Sequence, residues 1–329
     1  MLLDTLQKLL YAIFIISESA QWGDLEMAVR AQAFNTRQKM STNTFEVFHY
    51  KDTATKEVAL HHHDFYEVYF FVSGNVTYNV ESRSFLLSPG DILLIAPNEL
   101  HQPVVAAEKQ NYERFVLWIN KSYLQQFDLS EGLVTRCFDT EVPGHVNLLR
   151  PDGVTREMMN YLLQSLLVEQ SRQEYGADLY TMGLLAQILV ILNRLAERSR
   201  QDIQPKENSD SVVYRVLAYI NEHYNEDLSL DFLANKFFIS KYHLSREFGR
   251  LVGTSVYRYI VQKRLVMAKQ MMSAGVPTST VYQHCGFGDY SNFYRAFKAE
   301  YQISPKEFIA SIRDESASLD LLSRDKTKK

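Results

Sequence analysis

Apolar and polar positions divide the chain into a β-rich part and a helical part. Between residues 44 and 119, short runs of β-branched and aromatic residues, such as 66–72 and 76–80, are separated by polar turns. The turns at 73–75 and 88–91 contain Ser, Gly, Asn, Pro and Asp, which favour tight reversals. Many short strands at even spacing, with no helical period between them, predict a barrel or a sandwich.

Residues 154–198 show a helical period instead. Apolar side chains recur there at intervals of three and four residues and predict two amphipathic helices separated near Gly176. Their apolar faces could cover the barrel or form a dimer seam, and the sequence leaves both alternatives open. The members of the two faces are Met158, Met159, Leu162, Leu163, Leu166, Leu167 and Met182, Leu185, Ile188, Leu189, Leu192, Leu195.

The C-terminal region contains the pattern of short helix, tight turn and second helix twice. In the first unit, Ser229 and Ser240 occupy N-cap positions and Gly253 follows the second helix. In the second unit, a turn around Gly286 leads to Asp289, which caps the last helix of the pair. This arrangement predicts two helix-turn-helix motifs.

The two units form an internal repeat. Leu-x-Arg-x-Phe at 244–248 and Phe-x-Arg-x-Phe at 293–297 align at a separation of 49 residues. A single helix predicted over 256–272 joins them, and about 20 residues at about 1.5 Å each span about 30 Å. Successive major grooves on one face of DNA lie about 34 Å apart. The second helices of the two units could therefore enter adjacent grooves of one duplex.

The outward residues of these second helices suit DNA recognition. Arg reads guanine edges and Asn reads adenine, whereas Lys and Ser commonly hold phosphates. A solvated helix face is the alternative for any single residue, but the alignment of Arg246 with Arg295 favours DNA binding. The candidates are Lys241, Tyr242, Ser245, Arg246 and Arg250 on the first helix and Tyr290, Ser291, Asn292, Arg295 and Lys298 on the second.

Charge adds modest support for a nucleic-acid partner. The chain carries 35 Lys and Arg against 39 Asp and Glu, for a net charge of −4. Residues 211–313 hold 13 basic and 8 acidic residues, so this region is net positive by five and the remainder net negative by nine. A basic module on an acidic chain suits phosphate binding.

The densest set of candidate ligands lies around residue 63. His61 and His63 fall on the same side of an extended segment because side chains alternate, and Glu67 keeps that parity. A strand pairing beside this segment could bring His101 close. Three imidazoles and a carboxylate suit a divalent ion such as Zn, Ni or Fe. The same His and Glu side chains could instead hydrogen-bond an organic effector on which Tyr78 could stack, and structural histidines are the third alternative.

The helical repeat resembles the DNA-binding domain of AraC/XylS family regulators. Residues 239–248 and 286–298 are similar to the two helix-turn-helix units of that family, and 303–308 to its closing helix. Two positions depart from the family pattern: Phe238 replaces a turn glycine, and Tyr282 replaces a small residue. The resemblance implies base-reading positions for Tyr242, Arg246, Ser291 and Arg295.

The histidine segment resembles the cupin motif and the effector-binding barrel usual in this family. His-x-His at 61–63 is followed by Glu67 and Gly74, and a second motif ends at His101. Glu99 departs from the cupin pattern, which usually has Gly there, and no Asn follows His101 at the usual distance. The resemblance implies a small organic effector, often a sugar, rather than a catalytic metal.

The N-terminus and the cysteines bear on the compartment. The apolar run at 9–16 is short and has one basic residue before it, so we expect a packed helix or an over-long start rather than a signal peptide. No other segment is expected to be apolar for long enough to cross a membrane. Cys137 and Cys285 lie far apart with no metal-ligand spacing, which indicates free thiols in a reducing compartment, the cytoplasm.

Together these patterns predict an α+β multidomain protein with an N-terminal cupin-like β-barrel, flanking helices and a C-terminal all-α tandem helix-turn-helix domain. The expected function is a sequence-specific transcriptional regulator and not an enzyme, by family default an activator. Its expected partners are double-stranded DNA, a small-molecule effector such as a sugar, RNA polymerase and a second copy of the chain. The expected divisions are an extension at 1–40, the barrel at 41–150, helices at 151–200, a linker at 201–210, the DNA-binding domain at 211–313 and a tail at 314–329.

The alternative is a metal-dependent cupin enzyme, such as an isomerase or a dioxygenase, with an accessory helical domain. The tandem repeat distinguishes the two hypotheses, because an enzyme has no need of two arginine-bearing helices at the spacing of DNA grooves.

Overall fold

The structure is a computed structural model that describes residues 38–52, 58–106, 111–125, 127, 134–172, 174–201 and 211–312. The helix expected at 9–16, the linker apart from its first residue, and the tail at 314–329 lie outside the described residues.

Two antiparallel sheets face each other in the N-terminal part. The five-stranded sheet has the order β1-β7-β2-β5-β8 and the three-stranded sheet the order β4-β3-β6. This agrees with the predicted β-barrel, although the sequence patterns had not separated β4, β6 and β8 as strands. The strands are β1 Phe45–Asp52, β2 Tyr66–Ser73, β3 Val76–Val80, β4 Arg83–Leu86, β5 Ile92–Ile95, β6 His101–Val105, β7 Tyr112–Ile119 and β8 Leu148–Leu149.

The five-stranded sheet is buried on both faces, which explains its nearly continuous apolar strands. In β2, Tyr69 and Phe71 pack between the two sheets. Val68 and Phe70 point the other way, into a second core that includes helical residues. This alternation places Glu67 on the same side of the strand as Tyr69, in the barrel interior.

Two helices, α2 (Gly153–Glu169) and α3 (Ala177–Gln201), cover the outer face of this sheet. Leu162, Leu166, Leu185 and Leu192 share one buried core with the strands, so the covering alternative is confirmed. Two predicted members of the apolar faces lie outside that core: Met158 and Met182 are 48% and 44% exposed.

Helix α3 is also apolar and long enough to cross a membrane by length and composition. A stretch of 18 residues within Ala177–Arg200 is apolar enough for this, so the prediction that no such segment exists was wrong. Packing accounts for part of this apolar character, because 44% of the stretch is buried inside the protein. Ile188 and Leu189, at its centre, belong to the core against the barrel.

The C-terminal part is helical, as predicted. After a short α1 (Lys121–Gln125) in the barrel region, the helices are α4 Val212–His223, α5 Leu230–Lys236, α6 Lys241–Val252, α7 Val256–Ser273, α8 Thr278–His284 and α9 Tyr290–Tyr301, with helical residues again at 305–312. Helices α5 and α6 form the first helix-turn-helix unit, and α8 and α9 form the second.

The predicted caps hold these helices in place. Ser229 Oγ accepts a hydrogen bond from the backbone N–H of Phe232, and Ser240 Oγ accepts one from His243. Gly253 ends α6 in a left-handed conformation with φ 65°. Such caps satisfy N–H and C=O groups that a helix end leaves unpaired.

Each unit has its own small core, and α7 connects them. Leu244 and Phe248 pack with the first half of α7, whereas Phe293 and Phe297 pack with its second half. Val252 at the end of α6 belongs to the core of the first unit, and Leu251 beside it is partly buried and packs against that core. Helix α7 has 18 residues and is therefore about 27 Å long.

Candidate functional site

The second helix of each unit presents the predicted DNA-binding residues to solvent. All five candidates on α6 are exposed, as are Ser291, Asn292, Arg295 and Lys298 on α9. Tyr290 differs, because it is half-buried and its ring packs against Tyr282 and Phe293. The two helices, called the reader helices below, thus carry nine exposed candidates.

On α6 the arginines are paired with one carboxylate. Glu247 Oε1 accepts a hydrogen bond from Arg246 Nε at 3.3 Å, and its Oε2 lies 2.9 Å from Arg250 Nη2. The hydrogen bond from Arg250 is the main cause of the lowered pKa of Glu247. Both guanidinium groups are more than half exposed, so they can turn from Glu247 toward an external acceptor.

On α9 the arginine is held by an amide instead. Arg295 Nη2 donates to Asn292 Oδ1 at 2.6 Å, and the side chain of Asn292 in turn donates to Asp289. Asp289 Oδ1 also accepts from the backbone N–H of Asn292 at 2.7 Å, which caps the helix. One chain of contacts therefore runs from the cap to the two side chains best suited to read bases.

The two departures from the family pattern have different consequences. Phe238 adopts the left-handed conformation, with φ 55°, that a turn glycine would take, and its ring is 95% exposed. Tyr282 is half-buried and meets Tyr290 edge to face at 5.9 Å. Neither residue displaces the reader helices from the surface.

A buried polar cluster lies inside the barrel. His63, Glu67 and His101 are buried, and one ligand atom from each lies within 4.8 Å of the others. Glu67 Oε2 is 3.2 Å from His63 Nε2 and accepts a hydrogen bond from Trp118 Nε1 at 2.8 Å. The convergence of these three side chains is the one that the sequence patterns predicted, and we call them the barrel triad.

The remaining predicted members lie beside the barrel triad. His61 pairs with His101 through two backbone hydrogen bonds of 3.1 and 2.9 Å, so the predicted approach of His101 is confirmed. The two rings are 4.2 Å apart, but His61 is not among the converging donors. Tyr78 is buried and its ring lies parallel to that of His101 at 6.3 Å. His61 forms an isolated bridge with His101 rather than part of a strand, and the side chains of 61–63 still alternate, with His62 facing away from the cluster.

Hydrogen bonds to the backbone fix the orientation of all three imidazoles. The Nδ1 atoms of His61, His63 and His101 lie 2.9, 3.0 and 2.8 Å from the carbonyl oxygens of Ala59, Phe65 and Glu99. A carbonyl only accepts, so each Nδ1 carries a proton. The departure at Glu99 leaves this contact intact, because the backbone carbonyl supplies it.

Burial sets the protonation of the cluster. It lowers the pKa of His61 to about 4 and that of His101 well below its ordinary value, so both rings are neutral at physiological pH. Burial would raise the pKa of Glu67, but the hydrogen bonds and charges of His63 and its neighbours outweigh it, and that pKa is lowered. The cluster therefore combines the neutral imidazoles of His61 and His101 with an ionised carboxylate.

The two segments that carry these histidines, residues 60–64 and 99–102, contact the DNA-binding domain with their other faces. His62 lies between the two inward histidines and points outward, where its Nε2 is 3.5 Å from the hydroxyl of Tyr301 at the end of α9. Leu100, next to His101, is packed in the core of the first helix-turn-helix unit together with Leu60. Each segment thus has the histidine cluster on one side and a helix-turn-helix unit on the other.

Polar contacts extend this interface along β3. Glu81 Oε2 accepts from Lys263 Nζ at 2.9 Å, and Asn79 Nδ2 donates to the carbonyl oxygen of Leu251 at 2.8 Å. Lys269 Nζ also donates to Asp64 Oδ2 at 3.2 Å. Sequence reasoning missed all of these contacts; only the parity of His62 could have indicated that its side chain faces away from the barrel interior.

A barrel with a buried ligand-type cluster, joined to two exposed reader helices, defines a DNA-binding regulator with a sensor domain.

Both cysteines, Cys137 and Cys285, are buried and free, as expected.

Comparison with known proteins agrees with this class. The model of the AraC-like ligand binding domain matches residues 46–189, and a helix-turn-helix domain model matches 233–311. The HTH-type transcriptional activator RhaS of Enterobacter sp. (strain 638) is 24% identical over 255 residues, covering 75% of this chain and 86% of that protein. RhaS of Escherichia fergusonii is 25% identical over 252 residues, with the same coverage. The solved structure of fatty-acid-bound ToxT from Vibrio cholerae strain SCE256 is 11% identical, covers 83% of this chain and 97% of that chain, and has a TM-score of 0.37.

The chain belongs to the AraC family of transcriptional regulators, with an effector-binding domain and a sequence-specific DNA-binding domain.

Proposed function

We propose that this protein is a cytoplasmic transcriptional activator, and not an enzyme, whose DNA contacts respond to a small molecule bound in the barrel. The observation that carries the proposal is the arrangement of the segments at 60–64 and 99–102. These segments place histidines in the barrel cluster and, on their opposite faces, contact both helix-turn-helix units. The alternative of a cupin enzyme has no use for exposed reader helices coupled in this way.

The proposed DNA-binding residues are the ten candidates on the reader helices. Arg246 and Arg295 occupy equivalent positions, with Asn292 as the second base-reading group on α9. Guanidinium and amide groups recognise base edges, whereas Lys241 and Lys298 suit phosphate contacts. Tyr290 is the weakest of the ten because its ring is partly packed.

The proposed effector site consists of His61, His63, Glu67, Tyr78 and His101. A hydroxylated metabolite such as a sugar suits it, since hydroxyl groups donate to a carboxylate and to imidazole lone pairs, and aromatic rings flank the cluster. Activation rather than repression is supported by the names of the RhaS relatives. An activator also requires a contact with RNA polymerase, which we include among the proposed partners.

A second copy of the chain is the remaining proposed partner. Helix α3 keeps Leu179, Met182 and Val190 exposed, at helical spacing along one side, after its other face has packed on the barrel. An apolar stripe of this kind on a helix outside the core is suited to pairing with the same helix of another subunit, as in an isologous dimer.

A selection from random duplexes tests the DNA-binding proposal and identifies the operator sequence in the same experiment. Full-length protein is used to select duplexes from a random library, and binding to the enriched site is then measured by fluorescence anisotropy at fixed salt. We expect a site with two half-sites about 10 base pairs apart. Arg246→Ala and Arg295→Ala should each weaken binding by about 1–3 kcal/mol and relax the sequence preference of one half-site each.

Arg194→Ala is the matched control, because Arg194 is exposed on α3 and outside the DNA-binding domain. It should leave the affinity unchanged. Absence of any enriched sequence, or wild-type affinity in both reader variants, would contradict the proposal.

A further inference from the structure

We propose that Arg83, His145 and Arg200 form a second ligand site, which binds an oxyanion such as the carboxylate or phosphate group of a small metabolite. The site is separate from the proposed effector site, because none of its residues belongs to the barrel cluster. It joins the first residue of β4, the loop before β8 and the last turn of α3.

His145 is a buried imidazole that lacks both of its hydrogen bonds. The residue is 8% exposed, and neither Nδ1 nor Nε2 has a partner in the part of the chain that the structure describes. The three histidines of the barrel cluster, by contrast, each anchor Nδ1 on a backbone carbonyl. A neutral imidazole carries one N–H and one lone pair, so the ring of His145 leaves a buried donor without an acceptor.

A buried guanidinium group beside this ring also lacks an acceptor. The side chain of Arg200 is 9% exposed, and its Nη1 and Nη2 donate to Glu197 and to the carbonyl oxygen of Arg136 at 3.1 and 3.0 Å. Its Nε is buried with no partner among the described residues. The stem of Arg200 passes next to His145, since a Cβ added at Gly144 would lie 3.6 Å from Arg200 Cγ. The group that these atoms require is therefore an acceptor.

Arg83 completes the positive surroundings of the ring. Its Nη1 donates to the carbonyl oxygen of His145 at 2.9 Å, so a second guanidinium group lies against the same residue. Burial is the main cause that lowers the pKa of His145 to about 4, and the charges of Arg83 and Arg200 lower it further, against the opposing charge of Asp139. The two cations outweigh the one carboxylate at the ring, and the resulting potential attracts an anion.

An oxyanion has the chemistry that these three groups share. Guanidinium groups bind carboxylate and phosphate through charge-assisted hydrogen bonds, and the same oxygen atoms can accept from Arg200 Nε and from the N–H of His145. Glu197 does not block the site, because it is 53% exposed and occupies only Nη1 of Arg200. Bound negative charge in turn stabilises the imidazolium form of the ring.

The binding test uses full-length protein exchanged into chloride buffer. Sulfate, inorganic phosphate and succinate are titrated separately by calorimetry at constant ionic strength. Sulfate is a tetrahedral oxyanion that does not titrate near neutral pH, whereas succinate offers carboxylates. We expect one saturable site per chain for at least one probe, and the tighter class, tetrahedral oxyanion or carboxylate, identifies the group that the site recognises.

Arg83→Gln and Arg200→Gln identify the ligating groups. Each removes a charged hydrogen-bond donor, so each should weaken binding of the preferred probe at least about 10-fold. Arg198→Gln is the matched control, because it removes an exposed cation from the same turn of α3. It should change the affinity by less than about twofold, since an exposed charge is screened by salt. Circular dichroism establishes that each variant is folded.

Proton uptake gives a second measurement, made on the wild-type protein. The anion stabilises the charged ring, so the pKa of His145 should rise from about 4 on binding, and protons are taken up. The affinity for sulfate should therefore fall as the pH is raised from about 5 to about 8. Titrations in buffers of different ionisation enthalpy count the protons.

Absence of saturable binding for all three probes overturns the inference. Unchanged affinity in both Arg83→Gln and Arg200→Gln does so as well, and an equal loss in Arg198→Gln would mean that the anion is attracted only by diffuse surface charge. If the two arginine variants fail to fold, the wild-type titrations decide the matter, because anion binding without proton uptake would place the anion away from His145.

Discussion

The two helix-turn-helix units share a backbone turn but accept different side chains in it. Phe238 and Gly286 both have left-handed backbones, with φ of 55° and 77°. The ring of Phe238 is 95% exposed, whereas a Cβ at position 286 would lie 2.7 Å from the carbonyl oxygen of Asn225. The turn therefore requires a left-handed backbone in both units. Only in the second unit does the close approach of the α4–α5 loop also require a residue without a Cβ.

The largest effect is expected for Gly286→Ala. The substitution adds left-handed strain and a contact with the backbone of Asn225 that neither partner can relieve easily, so we expect the free energy of unfolding to fall by about 3 kcal/mol. Urea denaturation followed by circular dichroism measures the change. Gly288→Ala is the matched control in the same turn, because nothing lies within 4 Å of its added Cβ. If both variants lose the same free energy of unfolding, the contact with Asn225 is not the reason for glycine at position 286.

The caps of the reader helices give the next largest effect. Ser240→Ala and Asp289→Ala each remove the acceptor of a backbone N–H and should cost about 1 kcal/mol. We expect the loss at Asp289 to be greater by a few tenths of a kcal/mol, since a negative charge at a helix N-terminus adds to the cap. Thermal melts compare the two, and Asp289→Asn, which keeps the acceptor, should recover most of the loss. A larger loss at Ser240 would contradict the role assigned to charge.

The smallest effect is expected for Phe238→Gly. Glycine removes the left-handed strain of roughly 1 kcal/mol, but it also adds freedom to the unfolded chain, so the net gain should be about 0.5 kcal/mol. Little burial is lost because the ring is almost fully exposed. A measurable loss of stability on urea denaturation would mean that the ring of Phe238 stabilises the turn through contacts of its own.

The repeat made the C-terminal domain predictable, because its determinants are local. Caps such as Ser240 and inward residues such as Phe248 lie within a few positions of the feature that they fix. The barrel was harder, since the sequence patterns predicted the convergence of His63 and Glu67 with His101 but not β4 or β8. Short strands are decided by pairing partners far away in the chain, and a four-residue segment carries too little periodicity to reveal them.

Contacts between the domains could not be predicted. Glu81 and Lys263 are 182 residues apart, and neither stands in a motif. An ion pair of this kind depends on how two finished domains dock, which no local pattern encodes.

The alternating side chains of residues 61–63 have a consequence for the operator. Ligand in the barrel that shifts the contact between His62 and Tyr301 would change the affinity for DNA. Thermodynamic reciprocity then requires bound DNA to change the affinity for the ligand by the same factor. The promoter would then tune the sensitivity of its own regulator. A molecule seated on a strong operator would respond to a different concentration of signal than one diffusing free in the cell.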